Sequence, residues 1–164
     1  MQPEKASGRL EGAAARPIAE ILNCPPETGN VLNAAALCID YDSGGIVFRQ
    51  GGPCRGLYVV VSGQFLRKAE RLATRLNLGP ARPGDLIELG AALGDGLHTY
   101  TLTALTPASV LMLPLDALNQ AFRSYAPMRM QLLEELAREV SRGYFASSQD
   151  RNRRLRVRGA ATHP

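Results

Sequence analysis

The sequence predicts a mainly β fold with flanking helices, a double-stranded β-helix or jelly roll followed by one long C-terminal helix. Two observations predict it. Apolar runs of strand length alternate with glycine-rich corners, as in Tyr41-Asp-Ser-Gly44-Gly45-Ile-Val-Phe48 and Leu57-Tyr-Val-Val-Val61-Ser-Gly63. Their spacing of about ten residues belongs to small antiparallel barrels and sandwiches. Beyond Pro127 the pattern changes to apolar residues at steps of three and four, the period of a helix with one apolar stripe.

Taken in order, residues 1–15 are rich in Gly, Ala and charge without periodicity, and are expected to be disordered. Pro17 to Leu22 opens with proline at a first-turn position and reads as a short helix, ended by Pro25-Pro26. Residues 27–36 form a second helical piece. Strands are expected over 37–41, 46–49, 57–61 and 64–68, with a hairpin loop over 69–73 and a strand over 74–78. Two prolines and two glycines make 79–85 a turn. A short strand at Leu86-Ile87 leads to one helical turn over 89–93. The Thr-Tyr-Thr-Leu-Thr alternation marks a strand over 98–105, and 109–113 closes the roll. A helix over 114–125 completes the effector domain, placed at residues 16–126. The long helix takes 127–148, and a basic tail takes 149–164.

The chain of 164 residues suffices for one domain with a substantial core. No apolar run approaches the roughly 18 residues needed to span a membrane. The N-terminus lacks the apolar stretch of a secretory signal, so a cytoplasmic location is expected. The net charge of +4 is local. Arg151, Arg153, Arg154, Arg156 and Arg158 crowd the tail; without them the rest of the chain is close to neutral. A solvated end is the plainer reading of that run; a weak, non-specific nucleic-acid or polyanion contact is the functional one. Cys24, Cys38 and Cys54 are odd in number and widely spaced, which argues against a disulfide framework and against a zinc site. Cys38 is expected in a strand as a small hydrophobe. With only His98 and His163 to act as bases, no nucleophile–base pair stands out, and no enzyme is expected. No metal site is expected either.

Tyr41-x-x-Gly44-x-x-Val47, then Gly51, then Tyr58-x-Val60-x-x-Gly63, then Pro83-Gly84-Asp85, resembles the β-roll of cyclic-nucleotide-binding domains, in particular the effector domain of the catabolite-activator/FNR (Crp/Fnr) regulators. The likeness covers roughly residues 35–146. It implies N-terminal helices packed on the roll and a C-terminal helix through which the protein forms a homodimer. The stripe Met130, Leu133, Ala137, Val140 and Tyr144 steps alternately by three and four, a narrow coiled-coil seam suited to that role. Leu132 and Leu136 lie on an adjoining face, which is free to cover the roll. In DNA-binding members of the family a winged helix-turn-helix of about 70 residues follows this helix. Here only a short basic tail follows, so direct gene regulation is expected to need a partner.

The resemblance also implies a ligand cassette. In relatives it reads Gly-Glu-Leu, then Arg-Ser/Thr-Ala about ten residues later. Backbone N–H groups at a short helix and an arginine fork hold the cyclic phosphate, and the glutamate accepts from the ribose 2′-hydroxyl. The equivalent run here is Ile87, Glu88, Leu89, Gly90, Ala91 and Ala92, followed by His98, Thr99 and Tyr100. In one register Glu88 is the family glutamate, Ile87 replaces the glycine, and His98 and Thr99 stand at the arginine and hydroxyl positions. In the other, Glu88 replaces the glycine and no ribose acceptor remains. Neither supplies an arginine; Arg82, in a turn, is the one arginine before the cassette within reach. A neutral histidine brings neither a fixed charge nor a bidentate fork, and an inward Glu88 would repel an anion. For His98, a satisfied strand histidine facing solvent is favoured over a ligand-binding one.

The expected function is therefore a cyclic-nucleotide-binding-like regulatory or sensory domain with a degenerate phosphate cassette, signalling through its C-terminal helix to a protein partner. Two alternatives stay open: a fragment of a genuine cyclic AMP- or cyclic GMP-binding regulator, and a ligand-free dimeric interaction module. No cofactor is required; a cyclic nucleotide or another small molecule is the candidate ligand.

Overall fold

A computed structural model of the chain describes residues 18–71 and 74–142. Two helices open it, α1 (Ile18–Ile21) and α2 (Pro26–Ala35). Proline stands in the first turn of α2, where its missing N–H leaves no bond unmade. Eight strands follow: β1 (Leu37–Tyr41), β2 (Ile46–Phe48), β3 (Gly56–Ser62), β4 (Phe65–Arg71), β5 (Thr74–Ala81), β6 (Leu86–Ile87), β7 (Thr101–Ala104) and β8 (Ala108–Pro114). Helix α3 (Leu89–Leu93) lies between β6 and β7; α4 (Leu115–Ser124) follows β8, and residues 127–142 are helical, termed α5.

The strands form two four-stranded sheets, ordered β1-β8-β3-β6 and β2-β7-β4-β5, with every pairing between strands antiparallel. The chain thus has the mainly β jelly roll with flanking helices that is expected of it, its glycine rhythm predicting an antiparallel barrel or sandwich and its family resemblance the roll. Two apolar layers hold it. Phe48, Tyr58, Val60, Phe65, Ile87, Leu102 and Val110 fill the roll between the sheets. Leu57, Val59, Leu111 and Leu113 pack outward against Ile18, Leu22 and Leu32, and against Leu118, Met128 and Leu132. Strand β3 is buried on both faces, which is why residues 57–61 read as an unbroken apolar run rather than an alternating one. Each such side chain contributes about 1.5–3 kcal/mol of burial. The corners are close: a Cβ at Gly56 would collide with the Leu113 carbonyl, and Gly63, at φ +75°, turns β3 into β4 against Pro107 and Ala108.

Several element boundaries differ from expectation. Strand β4 continues to Arg71 where a loop from residue 69 is expected, and β5 runs to Ala81 through Gly79 and Pro80, so the turn is confined to residues 82–85. A register shift between Leu66 and Lys68 absorbs this, with Gly79 at φ +83° on the opposing strand. Because β5 is an edge strand, Pro80 forfeits no ladder bond. Strand β7 starts at Thr101 rather than residue 98. Residues 98–100 are bent instead, and that bend shapes the site.

Candidate functional site

Backbone geometry delivers three side chains to one buried point. Strand β6 ends at Ile87, and Glu88 then takes a left-handed conformation (φ 71°, ψ 35°) before α3 begins. The bend over residues 96–98 is stitched to the corner after β2. Gly51 N–H donates to the His98 carbonyl at 2.8 Å, His98 N–H donates to Gly52 O at 2.8 Å, and Cys54 N–H donates to Gly96 O at 2.7 Å. So held, the His98 ring lies flat on Phe48, with centroids 3.7 Å apart and planes 2° from parallel.

The Glu88 carboxylate accepts three hydrogen bonds. His98 Nδ1 lies 2.9 Å from Oε2, Thr99 N–H donates to Oε2 at 3.1 Å, and the Thr99 hydroxyl donates to Oε1 at 2.8 Å. Since a carboxylate only accepts, the imidazole proton sits on Nδ1. Glu88 is 3% exposed and His98 4%. Burying a carboxylate is costly unless it is hydrogen-bonded this fully. Within the cassette, then, the anion that the Thr99 and His98 donors face is the protein's own.

An ion pair lies near this point. Arg67 on β4 donates through Nη1 to Glu139 Oε1 of α5 at 3.2 Å, and through Nε to the Gly79 carbonyl at 3.5 Å. A Cβ added at Gly90 would lie 3.9 Å from both Leu136 of α5 and Thr99, which places α5 beside α3 here. Tyr100 ties the two pairs together. Its hydroxyl accepts from Glu88 N–H at 3.2 Å, and burial first, then Glu88 and Glu139, push its pKa far up while Arg67 opposes them. For Glu139, burial likewise raises the carboxyl, with Arg67 pulling it down and Glu135, Asp85 and Glu88 raising it further.

The predicted cassette residues divide accordingly. Glu88, His98 and Thr99 converge, and Tyr100 adjoins them. Ile87 is instead buried in the roll interior, Leu89 and Ala92 belong to the outer core with the helices, and Ala91 is buried. This arrangement fits the register in which Glu88 takes the glutamate position. His98 is a correction: it is buried, stacked and bonded to Glu88, not a strand histidine facing solvent, because the corner after β2 pins its backbone and turns the ring inward. Arg67, paired with Glu139 near this point, was not singled out from the sequence. It shares parity with Phe65, whose side chain is fully buried, and that alternation was available in the sequence. Arg82 is exposed, and its N–H is bonded to Asp85 in the turn.

On α5, Met128 and Leu132 are buried and Leu136 is partly buried against the roll. Of the expected seam, Met130 (60% exposed), Ala137 and Val140 (63%) face out and Leu133 is half-buried. Tyr144, the five tail arginines and residues 1–15 lie outside the described residues. Among the described residues no group of three His, Cys, Asp or Glu side chains is placed to hold a metal ion, and no helix is long and apolar enough to cross a membrane. Cys38 lies in β1 and packs against the outer core, and burial raises its thiol pKa, with Asp40 adding to it.

The cyclic nucleotide-binding domain family matches residues 38–125. No curated protein matches the chain in sequence. Among solved structures, the sensor domain of the transcriptional regulator DNR from Pseudomonas aeruginosa is similar at TM-score 0.65 and 20% identity, over 77% of this chain and 85% of that one. The catabolite activator protein of Thermus thermophilus is similar at TM-score 0.68 and 21% identity, over 82% of this chain and 62% of that one. The N-terminal domain of a transcriptional regulator from Streptomyces coelicolor is similar at TM-score 0.58 and 26% identity, over 77% and 91%. A chain with more than half of its length matched, folded as such a roll, belongs to the cyclic nucleotide-binding domain family, a family of regulatory rather than catalytic domains.

Proposed function

We propose that this chain is a Crp/Fnr-type regulatory domain whose phosphate cassette is degenerate, and that it signals through α5 to a protein partner, as a homodimer, without holding a cyclic nucleotide in the usual mode. One observation carries the reading: the Glu88 carboxylate occupies the donors of Thr99 and His98. A cyclic phosphate seated there would meet a buried anion instead of an arginine fork, and like charges in low dielectric repel strongly. The Arg67–Glu139 pair supports the output half of the reading, since it joins the roll to the helix that would move. The outward stripe Met130, Ala137 and Val140 supports dimerisation, as a run of apolar residues left uncovered within one chain. The cytoplasm and a weak polyanion contact of the arginine tail complete the proposal.

Calorimetry with cyclic AMP and cyclic GMP, joined to sedimentation, tests it. The expected result is no heat of binding from either nucleotide and a dimer at micromolar concentration. Micromolar affinity for either nucleotide would instead favour the genuine nucleotide-binding regulator.

A further inference from the structure

Between the two sheets, at the edge where β1 and β2 lie, the roll opens into a groove of about 310 Å³. Its walls are Tyr41, Phe48, Tyr58 and Met112, two aromatic rings of which lie 5.3 Å apart by centroid (Phe48 and Tyr58). Arg49 and Arg55 stand at its rim, both exposed, and neither has an ion-pair partner among the described residues. Among the described residues no carboxylate lines it. His98 also borders it; with Nδ1 committed to Glu88, Nε2 is the ring nitrogen without a partner among the described residues.

We infer that this groove binds a small aromatic carboxylate, its ring against Phe48, Tyr58 and Met112 and its carboxylate against Arg49 and Arg55. The volume is at the lower end for ligand sites, about 300–1,000 Å³, which limits the occupant to about one ring with a short acidic side chain. Aromatic and thioether walls favour a flat ring. Two arginines with no opposing acid favour an anion, and a guanidinium fork matches a carboxylate in two-point geometry. His98 links the groove to the cassette, because its other nitrogen is held by Glu88. The inference does not depend on the cassette being closed to nucleotides.

The test is a titration of phenylacetate into the isotope-labelled chain, followed by amide and aromatic NMR shifts. Saturable one-to-one binding is expected, with shifts centred on Phe48, Gly52 and Tyr58. The double variant Arg49→Gln/Arg55→Gln alters only exposed side chains, so it should fold with an unchanged spectrum elsewhere. It is expected to weaken phenylacetate at least about tenfold, and the neutral 2-phenylethanol should bind the parent as weakly as phenylacetate binds the variant. Failure to saturate below about 10 mM phenylacetate would overturn the inference, as would equal affinity in parent and variant. Shifts confined to Thr99 and α3 would also overturn it, since they would place the ligand in the cassette.

Discussion

Glu88 is the residue on which the cassette turns. Replacing it with alanine leaves the buried His98 Nδ1 without its acceptor and removes the partner of the Thr99 amide and hydroxyl, which are more exposed. A buried donor left without its acceptor costs about 1–3 kcal/mol, so Glu88→Ala should lower unfolding free energy by at least about that much in urea titrations. Thr99→Ala deletes one of the three bonds, and the expected loss is smaller, about 0.5–1.5 kcal/mol. Equal losses from the two variants would show that the carboxylate is not the centre of the network. The sequence already singled out Glu88, His98 and Thr99 through the family spacing. It did not show that they bind one another, because that depends on the positive φ at Glu88 and on the inward bend at residue 98. A non-glycine residue held at positive φ leaves no signature in composition or periodicity.

At the scale of elements, α5 and β4 are joined by the Arg67–Glu139 ion pair. In the folded chain the Glu139 carboxyl holds its proton more tightly than its ordinary value of 4.5 implies, because burial outweighs Arg67. A raised folded pKa means this group favours folding below that ordinary value, and the contribution is lost as pH rises through the folded value. Near neutral pH the charged form is therefore a net burden. Glu139→Gln, which keeps an acceptor for Arg67, should be at least as stable as the parent at pH 7, with the difference narrowing as pH falls toward 4.5 in thermal melts. A clear destabilisation at pH 7 would contradict this. On the other face of the helix, Val140→Glu places a charge at an exposed position, so monomer stability should change by less than about 0.5 kcal/mol. Sedimentation should nonetheless show the dimer weakened at least about tenfold if the outward stripe is the interface. The three-four step was enough to find this helix and its two faces, since periodicity reports directly which residues share a side. It could not pair Arg67 with Glu139, which are brought together only by the roll closing.

For the whole molecule, two apolar layers sharing β3 explain why so much of the fold was legible. Strand-length runs, tight corners and a doubly buried central strand each leave a pattern in one dimension. The expectations that differ, the extent of β5 and the start of β7, are places where tertiary pairing overrides local preference. Pro80 is tolerated because β5 is an edge, and residues 98–100 leave the strand because the neighbouring corner holds them. The result is a roll of the cyclic nucleotide-binding domain family in which Glu88, His98 and Thr99 satisfy one another. The Thr99 amide reports on that most directly, because its N–H donates to the Glu88 carboxylate. In a 15N-labelled chain titrated with cyclic AMP to about 5 mM, far above the affinity a regulatory site requires, the Thr99 amide and the His98 ring nitrogens are expected to keep their chemical shifts. Saturable movement of the Thr99 amide, with the His98 signals following it, would mean that the phosphate displaces Glu88 and would contradict the account.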